Sequence, residues 1–182
     1  MAEEKKPLSR SEREAQIKDK AGWVVALFAA VLAISTLVGG SNSSKILTNT
    51  ITANNLWAWY QAKNTRQTLI EFEIPRAMRD KDMARVEELK NWSAKLESDP
   101  DKGEGKKEIA EKARKLEAER EEARKRSPWF TYGGSGLQIA IVLLTASILA
   151  VSMPMFWIST VVGALGSLLV SQAIWMWIPW LS

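Results

Sequence analysis

The chain has 182 residues, with 25 Lys and Arg against 21 Asp and Glu, so its formal net charge at pH 7 is only +4. It has no cysteine and no histidine, which excludes disulfides, thiolate nucleophiles, imidazole bases and the usual zinc ligands. The small basic excess is mixed along the chain, unlike the clustered basic surface that binds nucleic acid.

Charged and apolar residues are segregated along the sequence. Residues 22–38 and 137–181 contain no Asp, Glu, Lys or Arg, whereas charges fill the N-terminal tail and the middle. A helix needs about 20 apolar residues to cross a hydrocarbon core of about 30 Å. We therefore predict an all-α integral membrane protein with three transmembrane helices and an extramembrane helical hairpin or coiled-coil-like domain.

The N-terminal part is predicted to be a charged tail over residues 1–21 and a first transmembrane helix over residues 22–39. A cleaved signal peptide would have a shorter apolar core, so we interpret the helix as an uncleaved signal anchor. The tail is rich in Lys and Arg, whereas only Lys45 follows the span before Lys63. Positive charge marks the cytoplasmic side, so we expect a cytoplasmic N-terminus and a periplasmic helical domain. The basic run 124–126 favours the opposite orientation.

Residues 40–134 are predicted to form the extramembrane domain, built from three helices. The first ends at Pro75, the second covers the apolar pattern of residues 83–96, and the third has apolar residues at heptad positions over residues 109–123. Residues 103–106 lack the spacing of a phosphate loop and are interpreted as a flexible turn. Glycines at 133–136 suggest a hinge into the second span.

An aromatic segment stands out within this domain. We predict that it either packs in the core of the domain or contacts another molecule. Its residues are Trp57, Trp59, Tyr60, Gln61 and Lys63. Its rings occupy more than one face of a helix. They could fill the core of the helical domain, lie on the membrane surface or face another subunit, and the sequence leaves these alternatives open.

The second and third transmembrane helices are predicted over residues 136–153 and 155–181, joined by a tight turn at Pro154. Small residues recur every four positions in the third span and predict a helix-packing face formed by Gly163, Ser167 and Ser171. Tryptophan prefers the headgroup zone. The interfacial anchors expected on this ground are Trp23, Trp129, Trp175, Trp177 and Trp180.

The run Trp57–Lys63, which reads WAWYQAK, resembles the WAYYQAK element of the small bacterial membrane proteins known as domain of unknown function 4337. Those proteins have the same order of parts, and their C-terminal spans open with a sequence similar to residues 137–140. The resemblance covers nearly the whole chain and implies a bacterial cell membrane protein. It implies no activity. Family members often have arginines in the last turn, whereas residues 152–156 are uncharged.

The function expected from these features is that of a non-enzymatic bacterial membrane scaffold or accessory protein. No charge lies inside the predicted spans, which argues against a proton relay there. We expect no catalytic residue, cofactor or metal. The expected partners are the lipid bilayer and either further copies of the chain or a larger membrane complex, with no nucleic acid. The alternative is a channel or transporter subunit with an intersubunit pore lined by Ser, Thr and Gln.

Overall fold

The computed structural model describes residues 9–178, and within that range the protein is all-α, as predicted. The described helices are α1 (Arg10–Arg79), α2 (Met83–Glu97), α3 (Lys106–Leu149) and α4 (Met153–Trp175). Three of them, α1, α3 and α4, are long and apolar enough to cross a membrane. The boundaries predicted between the tail and the first span, and at both ends of the charged domain, lie inside the longer helices α1 and α3.

Helix α1 does not end at Pro75 as predicted but continues to Arg79. Proline removes one backbone hydrogen bond and clashes with the preceding turn, which costs a helix interior about 3 kcal/mol. The last turn is held by packing, because the buried Ala77 belongs to a cluster with Val86 and Leu89 of α2. At Lys81 the backbone adopts φ 58°, and the chain reverses into α2.

Helix α3 is also unbroken where a hinge was predicted, and it passes through Pro128 and the glycines at 133–136. The hinge prediction is wrong because these glycines have a packing role. A Cβ atom on Gly133 would lie 2.9 Å from the carbonyl oxygen of Gly166 in α4. The glycines therefore permit a close helix crossing, as small residues do where helices pack in a membrane.

The structure divides into two compact units, and the first contains residues 9–43 and 124–178. Its core includes Phe28 of α1, Leu137 and Leu144 of α3, and Phe156 and Val170 of α4. The tight turn predicted near Pro154 is confirmed. Helix α3 ends at Leu149 and α4 begins at Met153, with proline in the first turn of α4, where its missing N–H costs nothing.

The second unit, Ser44–Ala123, pairs the C-terminal half of α1 with α2 and with the N-terminal part of α3. In this part of α1, one row of buried and half-buried residues recurs in steps of three and four, which is the spacing of helices that pack side by side. The row is Ile46, Asn49, Ala53, Leu56, Tyr60, Lys63, Gln67, Ile70, Ile74 and Ala77, and the half-buried Thr50 and Trp57 lie next to it. In α3 the same spacing joins Lys106, Ile109, Ala113, Leu116, Arg120 and Ala123. Several of these inward positions are polar or charged.

Candidate functional site

Two rings of the aromatic segment turn toward α3. The Nε1–H of Trp57 donates a hydrogen bond to Oε1 of Glu117 at 2.9 Å. The rings of Trp57 and Tyr60 meet edge to face, with centroids 5.6 Å apart, a favourable geometry for aromatic pairs. These two residues therefore join α1 to α3 inside the second unit.

Trp59 and Gln61 lie on the surface of α1, whereas Lys63 is half-buried. Trp59 keeps 40% of its surface exposed, and the ammonium group of Lys63 lies 5.2 Å from the centre of its ring. Gln61 is exposed. The five predicted residues therefore lie on two faces of the helix and do not form a single site.

A buried lysine connects all three helices of the second unit. The side chain of Lys106 in α3 is only 10% exposed, and its Nζ lies 3.0 Å from Oε2 of Glu97 in α2. The same Nζ donates to Oδ1 of Asn64 in α1 at 3.1 Å and lies 5.7 Å from the Tyr60 ring centre. A buried charge is tolerated only when it is paired and hydrogen-bonded, so this cluster fixes how the three helices meet.

The loop between α2 and α3 is tied to the first turns of α3. The carboxylate of Glu108 accepts hydrogen bonds from the Ser98 hydroxyl at 2.6 Å and from the Asp99 N–H at 3.2 Å. The Nζ of Lys112 donates to the carbonyl oxygen of Gly103 at 2.8 Å. Gly103 has φ +63°, a conformation that favours glycine. The loop is therefore the turn that the sequence predicts, but its ends have defined contacts.

The lowered pKa values of two carboxylates in this region predict that the second unit loses stability in acid. Hydrogen bonding to Lys106 lowers the pKa of Glu97 below its ordinary 4.5, and the Ser98 hydroxyl lowers the pKa of Glu108. A lowered folded-state pKa stabilises the fold above the unfolded value and loses that effect as pH falls through the folded value. We therefore expect the amides of α2 to exchange hydrogen faster once the pH falls below about 4.5.

Hydrogen exchange followed by mass spectrometry at a series of pH values measures this effect. Because the intrinsic exchange rate also changes with pH, protection factors are compared and not raw rates. The Glu97→Gln/Glu108→Gln variant is the control, since its amide side chains cannot take up these two protons. An acid-induced loss of protection equal in the variant and in the natural chain would contradict the prediction.

A groove of about 460 Å³ lies between α1 and α2. Its lining combines apolar side chains with an excess of cations: Lys63, Arg66, Leu69, Ile70, Trp92, Lys95, Leu96 and Asp99. Among residues 9–178, none of its three cations lies within 4.0 Å of a carboxylate oxygen. The groove therefore presents an apolar floor with unneutralised positive charge at its edges.

The predicted helix-packing face is partly used inside the first unit. Gly163 is buried, and a Cβ atom there would overlap the ring of Phe28 in α1. Ser167 donates its hydroxyl proton to the carbonyl oxygen of Gly163 at 2.9 Å, and Ser171 is half-buried. A glycine outside this predicted set, Gly166, makes the close approach to α3.

The predicted anchors differ in exposure. Trp23 is 82% exposed, Trp175 and Trp177 are also exposed, and Trp129 is half-buried. Trp180 lies outside the described residues. The exposed rings extend outward from the first unit, as an interfacial role requires.

Polar side chains of the apolar helices bond to backbone near them in the sequence. Thr145 donates to the carbonyl oxygen of Ile141 at 2.9 Å, and Ser159 donates to Met155 at 2.6 Å. Gln172 is buried and bonds both the N–H and the carbonyl oxygen of Ile178, each at 3.1 Å. The hydrogen-bonding groups of these side chains are therefore paired with backbone groups, which is how polar groups are accommodated in an apolar environment.

Comparison with known proteins gives a family. The model of a domain of unknown function (DUF4337) matches residues 17–176, which include the whole second unit and most of the first. The chain belongs to this family. No curated protein and no solved structure matches the chain.

Two features of the structure were not predicted from the sequence. They are the Lys106 cluster and the cationic groove. Lys106 was interpreted only as part of a turn. A signal was present, because Lys106 lies three residues before Ile109 and extends the heptad pattern of α3 by one position. The groove gives no comparable signal, since it combines residues of α1 and α2 that are about 30 positions apart in the sequence.

Proposed function

We propose that this chain is a membrane-anchored scaffold or accessory protein whose helical domain associates with further copies of itself or with a larger membrane complex. Helices α1, α3 and α4 provide three spans, and the second unit is the domain that lies outside the bilayer. The proposed location is the bacterial cell membrane.

The observation that carries this proposal is the exposed apolar surface of the second unit. Leu69 is 61% exposed and Phe72 is 74% exposed on α1, and the exposed Trp92 of α2 lines the same groove as Leu69. Scattered apolar residues on a protein surface are ordinary, but neighbouring large ones indicate a surface that another molecule covers. The three helices of the second unit bury one face of each and leave the opposite faces exposed.

The proposed orientation places residues 9–20 in the cytoplasm and the second unit on the other side. It is supported by the basic residues of the tail and by the scarcity of Lys and Arg just after the first apolar segment. Because the chain has no cysteine, Lys90→Cys gives one reactive thiol in the second unit. Labelling of intact cells by a membrane-impermeant maleimide is expected, and labelling only after lysis would contradict this orientation.

The native mass of the protein, extracted gently from its own membrane, tests the function. We expect either a discrete multiple of 20.4 kDa or co-migration with a defined set of membrane polypeptides. Cross-linking before extraction controls for loss of partners to the detergent. A single 20.4 kDa chain without companions, before and after cross-linking, would overturn the proposal.

A further inference from the structure

A second cleft lies between α1 and α3 inside the first unit and has a volume of about 410 Å³. Its walls are formed by residues within 32–43 of α1 and within 127–138 of α3, and most of them are Ser, Thr or Gly. None of the described residues that line it is charged. This polar cleft is therefore a row of hydrogen-bonding groups between the uncharged parts of two helices.

The serines of the polar cleft lack the hydrogen bonds that most polar side chains have elsewhere in the apolar helices. Ser159 and Ser167 donate to carbonyl oxygens four residues before them, and so do Thr36 and Thr131 of the polar cleft, at 2.9 and 3.1 Å. Within residues 9–178, the other polar side chains of the cleft make no hydrogen bond. They are Ser35, Ser43, Ser127, Ser135 and Gln138.

Ser35 is the most deeply placed of these side chains, because it is only 3% exposed. A Cβ atom on Gly134 of α3 would lie 3.9 Å from its Oγ, so the hydroxyl lies between the two walls of the polar cleft. A buried hydroxyl without a partner costs free energy. A molecule in the polar cleft that donates or accepts a hydrogen bond removes this cost.

The depth of the polar cleft follows from the distribution of charge. Residues 21–44 of α1 and 127–149 of α3 contain no Asp, Glu, Lys or Arg, and the midpoints of these stretches lie near Leu32 and Gln138. The polar cleft extends from the midpoints to one end of each stretch. At 1.5 Å per residue this is about 17 Å, which is about half of a hydrocarbon core of about 30 Å.

The occupant of the polar cleft has to carry hydrogen-bonding groups to the centre of the bilayer. A hydrocarbon chain has none and would leave these side chains unpaired, which is costly in an apolar environment. Hydroxyl and amide groups donate and accept hydrogen bonds, as water does. A volume of about 410 Å³ has room for on the order of ten water molecules at about 30 Å³ each.

We propose that the polar cleft is filled with water, opens at one face of the membrane and ends near the bilayer centre, and that it admits small uncharged polar molecules. The inference rests on the proposed spans but not on the scaffold role. An uncharged lining favours this class of solute, because an ion would lose its hydration without gaining an opposite charge.

Single cysteines test the proposal, because the chain contains none. Iodoacetamide, a small uncharged reagent, alkylates the thiolate, which forms in water and not in hydrocarbon. In liposomes we expect Gln138→Cys and Ser135→Cys to react at least about tenfold faster than Ile139→Cys, each rate being divided by that of the unfolded chain in SDS. Position 139 is the matched control, since it is the next residue of α3, is 55% exposed and does not line the polar cleft.

A blocking variant tests whether the reagent enters through the polar cleft. Gly134→Leu puts a side chain into the cleft, where a Cβ atom would have only Leu32 and Ser35 within 4 Å, both at 3.9 Å. It is expected to slow the labelling of Gln138→Cys about tenfold. Gly22→Leu is the control, because a Cβ atom there has nothing within 4 Å and lies outside the cleft. Equal effects of the two leucines would contradict entry through the polar cleft.

The remaining outcomes separate this inference from the proposed function. Slow labelling of positions 135, 138 and 139 alike would show a dry cleft and overturn the inference, while the scaffold role would still be judged by the native mass. Fast labelling at all three positions would overturn the proposed spans and the inference with them. Fast labelling of positions 135 and 138 in liposomes but slow labelling in the native membrane would show that a partner's helix, and not water, fills the polar cleft in the cell.

Discussion

Replacing Glu97 with Ala is expected to destabilise the second unit by about 3 kcal/mol, whereas Lys106→Met is expected to cost less than about 1 kcal/mol. The asymmetry follows from burial. Without Glu97, the ammonium group of Lys106 stays buried with only Asn64 as a hydrogen-bond partner. Without Lys106, Glu97 keeps 40% of its side chain exposed to water, and methionine fills the space that the lysine stem leaves.

Native-state hydrogen exchange measures both free energies, because it reports the opening of α2 and of the first turns of α3 separately from the rest. Glu87→Ala is the matched control, since it removes an exposed carboxylate from the same helix. We expect it to change the opening free energy by less than about 0.5 kcal/mol. If Glu97→Ala and Lys106→Met lowered the opening free energy equally, the prediction that the cost comes from leaving a buried lysine unpaired would be wrong.

Features that depend on composition over a long stretch could be predicted from the sequence. The absence of charge over residues 137–181, interrupted by Pro154, predicts two apolar helices joined by a turn, and α3 and α4 separate there. Helix α2 was predicted from its apolar spacing. It begins after Asp82, whose side chain accepts the N–H of Arg85 at 3.0 Å, a local capping bond.

Features that depend on contacts between distant residues could not be predicted. Pro75 and the glycines at 133–136 break helices when they act alone, but α2 holds the turn after Pro75 and α4 packs on Gly133. The Lys106 cluster requires Asn64 and Glu97 to meet across three helices. Periodicity gives the inward positions of each helix, but it does not say which polar side chains of separate helices pair.

The second large effect is expected at Gly166, where Ala should destabilise the first unit by about 2–3 kcal/mol. A Cβ atom there would lie 3.0 Å from the carbonyl oxygen of Gly133 and 3.0 Å from the N atom of Leu137. Both are backbone atoms of α3, so the added carbon can be accommodated only if the two helices move apart. Gly40→Ala is the matched control, because nothing lies within 4 Å of a Cβ atom at that position.

A comparison with Gly163 tests whether the cost at Gly166 arises from contact with the backbone of α3. A Cβ atom at Gly163 overlaps the ring of Phe28, which is a side chain that can be shortened. Gly163→Ala should therefore add almost nothing to Phe28→Ala, whereas Gly166→Ala should cost about as much with Phe28→Ala as without it. Equilibrium unfolding in mixed SDS and mild-detergent micelles measures the free energy of unfolding of the natural chain and of each single and double variant. If Phe28→Ala rescued Gly166→Ala as well, the cost at Gly166 would not arise from backbone contact between α3 and α4.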